Sequence, residues 1–174
     1  AAADVLTFGL GGLSKAVGLP QLKLGWIVLS GPSREVDRAL YALDVICDTY
    51  LSVSTPVQVA LDGLLARGRA VVDQIATRVR QNHTALTRLV DAAPATDLLR
   101  ADGGWYAVLQ VPATRTEESL VLDLLERDHV LVHPGYFFDF PREAFLVTSL
   151  LPERACFDSG MSRVMARIAG DTVA

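Results

Sequence analysis

The stretch that decides the reading is Leu13-Ser14-Lys15-Ala16-Val17-Gly18-Leu19-Pro20-Gln21-Leu22-Lys23-Leu24-Gly25-Trp26. It holds the only two lysines of a chain whose sixteen basic residues are otherwise all arginine. The distinction is chemical. A lysine amine can lose its proton when desolvated or set near another cation, and the free amine adds to carbonyl groups, whereas a guanidinium stays charged. Lys15 and Lys23, bracketed by glycines, therefore mark the place to look for amine chemistry.

Upstream, residues 5–10 read as a short buried strand running into Gly9, Gly11 and Gly12, a cluster that asks for unusual dihedrals or a close approach to the backbone. Downstream, residues 22–29 read as a second strand, apolar on both faces in the manner of parallel strands, and Ser30-Gly31-Pro32 ends it. A helix follows from Pro32 and Ser33, with Val36, Leu40, Leu43, Cys47 and Tyr50 at helical spacing. The next helix opens on Ser54 or Thr55 with Pro56 at its first turn and keeps its period to about Val90, with Gly68 as a candidate bend. Beyond it the pattern is mixed. The spacing predicts strands over 105–111, 130–132 and 145–151, a helix entered by a capping box of Thr114 and Glu117, and a last helix opening at Pro152 with Phe157, Met161, Val164 and Ile168 inward.

Composition narrows the function classes. With 174 residues, 51% hydrophobic and 21% charged, the chain has the means for a core, and disorder is excluded. The net charge of −4 comes with no basic cluster, which argues against a nucleic-acid partner. No apolar run approaches the roughly 18 residues of a membrane span. Cys47 and Cys156 have no metal-ligand or disulfide spacing and read as buried, reduced thiols of a cytoplasmic protein. His83, His129 and His133 lack a second ligand at metal-binding spacing, so no metal is expected. The opening Ala1-Ala2-Ala3-Asp4 reads as a chain cut from something longer.

The lysine segment resembles that of the class I/II aminotransferases, the fold-type I family of pyridoxal phosphate (PLP) enzymes. Further resemblance lies in Thr55-Pro56-Val57-Gln58-Val59-Ala60, in Gly103-Gly104-Trp105-Tyr106, and in Val130-Leu131-Val132-His133-Pro134-Gly135 with an aromatic at Phe137. The resemblance implies an α/β fold: residues 1–75 as the end of the large parallel PLP-binding domain, joined by the long helix to a small C-terminal α+β domain over 76–174. It implies that Lys15 carries pyridoxal 5'-phosphate and moves a proton between the substrate Cα and the cofactor's C4′, with Ser14 and Lys23 also binding the cofactor. Lys23 stands where the family usually has an arginine on the phosphate, and acts as a point charge without the bidentate fork.

Two positions depart from the family pattern. Gly12 replaces the Ser or Thr that often lies three residues before the lysine. Val147 stands where the last strand usually carries the arginine for the substrate carboxylate, which leaves Arg142 as the candidate substrate-binding cation. The expectation is a fragment of an amino-acid aminotransferase acting on an amino acid and a 2-oxo acid, dimeric and cytoplasmic when whole. The fragment alone is expected to be inactive and to hold PLP weakly or not at all. The rivals are another fold-type I reaction (decarboxylase, lyase or acyl-CoA condensing enzyme) and the ligand-sensing module of a transcription regulator.

Overall fold

A computed structural model of the chain describes residues 4–173. Ala1-Ala2-Ala3, part of the opening read as a cut end, lies outside the described residues. The chain divides into two compact units, Ala1–Gln74 and Ile75–Ala174.

In the first unit, β1 (Thr7–Gly12) leads into the one-turn helix α1 (Leu13–Ala16), a 3-10 turn (Pro20–Leu22) and β2 (Gly25–Ser30). The strands pair antiparallel, with Gly11 opposite Trp26 and Thr7 opposite Ser30, and not as the parallel strands the sequence suggested. The connection explains the difference. Leu13 N–H donates to the Leu24 carbonyl at 3.0 Å and Leu19 N–H to the Leu13 carbonyl at 3.1 Å, so the loop closes on itself and returns the chain beside its own strand. A parallel pair would need a crossover.

Leu13, Val17 and Leu24 are buried in a small core with Leu61 and Leu64 of α3 (Thr55–Asp91) against them. The remaining apolar surface of the unit is open. Leu10 is 79% and Val28 60% exposed on the hairpin, contrary to the buried strand expected there, and α2 (Ser33–Thr49) buries none of its residues. Helical spacing puts the apolar residues of α2 on one stripe but does not say what covers it. Cys47 and Cys156 are free and exposed, which corrects the expectation of buried thiols.

The second unit is built on a four-stranded antiparallel sheet in the order β3 (Asp97–Leu98), β4 (Tyr106–Gln110), β6 (Phe145–Ser149), β5 (His133–Pro134). Val147 sits opposite both Val108 and His133. Leu86 from α3, Leu109 and Leu146 from the sheet, Leu124 from α4 (Glu117–Asp128) and Val164 from α5 (Arg154–Val173) are fully buried together.

Two boundaries move from their sequence reading. The cap of α4 is Thr116 rather than Thr114, its hydroxyl accepting the Ser119 N–H at 3.2 Å. Residues 130–132 do not form a strand: His129 turns left-handed at φ 54°, Val130 N–H donates to the Leu124 carbonyl as the helix closes, and pairing begins only at His133.

Arginine–aspartate pairs flank α4: Arg115, just before it, pairs with Asp123 within it and with Asp171 of α5, and Arg167 of α5 pairs with Asp128. The Arg115 guanidinium, hydrogen-bonded to Asp123, holds that carboxyl below its usual range, and Arg167 does the same for Asp128. Because both folded-state values are depressed, the stabilisation they bring is complete above the ordinary aspartate value of about 3.9 and is lost as pH falls through the folded-state values. Thermal melts of the chain across that acid window should show its melting temperature falling. In Asp123→Asn and Asp128→Asn the fall should be shallower, and an identical slope in both variants would remove these pairs as its cause.

Candidate active site

The lysine turn is shaped by the spacing of its apolar residues. Leu13 and Val17, four apart, lie on one face of the turn and are 0% and 3% exposed, which leaves Ser14 half-buried and Lys15 projecting outward. Lys23 closes the 3-10 turn with a left-handed backbone at φ 52° and is also exposed. The Leu13–Leu24 hydrogen bond joins the backbone two residues before Lys15 to the backbone one residue after Lys23. Both lysines therefore belong to a single closed loop.

The glycines before it have a physical reason. A Cβ on Gly11 would lie 2.3 Å from the Trp26 indole nitrogen, so the group that approaches this backbone is the tryptophan across the strand pair.

In the second unit, Arg142 is exposed, with its guanidinium carbon 5.0 Å from the centre of the Phe145 ring. Val147 is 2% exposed on β6, whose five residues include no cation. Beside it, His133 lies 6.1 Å from the Phe137 ring and 6.2 Å from that of Phe138.

Sequence reading missed Glu117 as anything but a cap. Its side chain is 2% exposed, and its two oxygens accept N–H bonds from Phe145 at 2.7 Å and Tyr136 at 3.0 Å. It missed Asn82 as well, whose buried amide donates to the carbonyls of Leu150 and Pro152 and so pins the turn after β6. No local motif signals either residue, because their partners are backbone groups far along the chain.

An antiparallel strand pair joined by a lysine-bearing loop, a 37-residue helix and a four-stranded antiparallel sheet carrying two helices match part of the fold of solved aminotransferase structures. An alanine aminotransferase from Pyrococcus furiosus superposes with a TM-score of 0.79 at 20% identity, over 96% of this chain and 43% of that one. An α-aminoadipate aminotransferase from Thermus thermophilus, solved with N-(5'-phosphopyridoxyl)-L-leucine, does so at 0.74 and 20% identity, over 95% and 42%. The chain belongs to the class I and II aminotransferase family, whose model matches residues 2–168. The glutamate-pyruvate aminotransferase of Escherichia coli is 25% identical over 146 residues, covering 80% of this chain. The chain spans about 36% of that relative's length.

The residues of the closed loop fit the cofactor of such enzymes. An outward-facing amine suits an aldehyde carbon, and a second cation with a hydroxyl suits a phosphate.

Proposed function

We propose that the chain is part of an amino-acid aminotransferase that moves an amino group between an amino acid and a 2-oxo acid with pyridoxal 5'-phosphate as cofactor. The observation that carries the reading is the Ser14-Lys15 turn between β1 and β2, inside a family match over residues 2–168. Residues 1–75 then form the end of the cofactor-binding domain and 76–174 the small domain of an enzyme that is dimeric and cytoplasmic when whole.

When bound, the cofactor supplies an electron sink for the charge left at the substrate Cα. Lys15 Nζ takes the Cα proton and returns it, a task for an amine anchored by Leu13 and Val17 so that it stays beside that carbon. Lys23 and Ser14 orient the phosphate, the first by charge and the second by its hydroxyl. Arg142, in the loop before β6 and over the Phe145 ring, meets the substrate carboxylate.

The test is transfer of 15N from an amino donor to a 2-oxo acid by the complete enzyme, with the glutamate and pyruvate pair named for the Escherichia coli relative tried first. Labelled product without release of carbon dioxide is expected. Release of carbon dioxide without transfer would favour a decarboxylase, the reading that the cation-free β6 keeps in contention.

Arg142→Ala should raise KM for the amino donor about tenfold, the effect of one charge-assisted hydrogen bond at an exposed site, with kcat nearly unchanged. An unchanged KM would return Arg142 to the role of a solvated loop charge.

A further inference from the structure

Glu117 is a carboxylate buried to 2% exposure, and such a group is costly unless its oxygens are met by donors. Both are, and the donors lie in one segment: Tyr136 N–H at its start and Phe145 N–H at its end. The reverse bond exists too, since Glu143 accepts the Glu117 N–H at 2.8 Å and so satisfies an amide that the first turn of α4 leaves unpaired.

Between Glu143 and Phe145 stands Ala144, 4% exposed with φ at 86°. A residue with a Cβ adopts that backbone only when its surroundings hold it there. The bonds on either side of Ala144 supply that hold, and its own carbonyl accepts the Val111 N–H at 2.9 Å.

We propose that Glu117 is a positioning residue: its carboxylate clamps both ends of the 136–145 segment, keeps Ala144 in its left-handed turn, and so fixes where Arg142 stands above the Phe145 ring. Its bearing on catalysis rests on the reading of Arg142 as the carboxylate-binding cation.

Hydrogen exchange followed by amide NMR of the 174-residue chain tests the clamp itself. In Glu117→Gln one oxygen becomes an NH2 group facing a backbone donor, so one of the Tyr136 and Phe145 amides should exchange at least about tenfold faster while Ala107 and Leu109 in β4 keep their protection. Adding Ala144→Gly, which removes the penalty of the positive φ, should recover part of the melting temperature lost in Glu117→Gln and change little in the parent, while the amide that faces the new NH2 group keeps its fast exchange. Equal acceleration over the whole second unit, or none at Tyr136 and Phe145, overturns the proposal.

In the complete enzyme, Glu117→Gln should raise KM for the amino donor while leaving kcat nearly unchanged, and Arg142→Ala should add little on top of it. A KM effect of Glu117→Gln that adds in full to that of Arg142→Ala overturns the link between the two residues. If Arg142→Ala alone leaves KM unchanged, it is the carboxylate reading that falls, and exchange at Tyr136 and Phe145 still decides the clamp.

Discussion

Lys15→Arg in the complete enzyme is expected to abolish transamination while leaving the fold intact. The substitution keeps a long, cationic side chain on the same exposed face of α1, and Leu13 and Val17 go on filling the core beneath it. What is lost is the chemistry of a neutral amine. A guanidinium cannot shed its proton near neutral pH, so it neither adds to an aldehyde carbon nor accepts the Cα proton. Proton transfer alone typically contributes about 10²–10⁴-fold, and loss of the covalent bond comes on top of that. Borohydride treatment of the parent enzyme followed by peptide mapping should place a phosphopyridoxyl group on Lys15. Finding that group on Lys23, or measuring turnover in Lys15→Arg within tenfold of the parent, would falsify the assignment.

How much of this was readable in advance follows from the range of each interaction. Lys15 stood out because lysine is rare here and, unlike arginine, can offer a free amine, and the 37-residue α3 stood out because Pro56 and an unbroken apolar period are local signals. The antiparallel pairing of β1 and β2 was not readable, since it depends on a loop closed by Leu13 and Leu24 rather than on the pattern of either strand. Exposure was not readable either: Leu40 on α2 is 49% exposed and Cys47 is exposed although the spacing of its apolar residues is that of a packed helix. Glu117 was hidden for a related reason, because its backbone partners lie 19 and 28 residues away and any sequence supplies N–H groups. Gly68 was visible as a glycine within a helix, but the contact it makes was not.

That contact leads to the second large effect. A glycine inside a helix costs about 1 kcal/mol relative to alanine, so its presence in α3 calls for a compensating gain. Gly68 is buried, and a Cβ added there would lie 2.2 Å from Val17 Cγ1 and 2.3 Å from Val17 Cβ, the latter a branch point that cannot swing aside. Gly68→Ala should therefore destabilise the first unit by about 1–3 kcal/mol, as overpacking of a filled core does, despite the gain in helix propensity. Val17 N–H donates to the Leu13 carbonyl and closes the turn that carries Lys15, so the strain should displace the lysine as well and lower turnover in the complete enzyme. Val17→Gly removes both clashing atoms. On its own it should destabilise by loss of a buried side chain, yet in that background Gly68→Ala should cost little or even stabilise, a non-additivity that residues apart from one another do not show. Chemical denaturation of the four chains measures it. If Gly68→Ala instead stabilises the parent by about 1 kcal/mol, the gain of an uncrowded helical site, then the helix does not press on the lysine turn at this point.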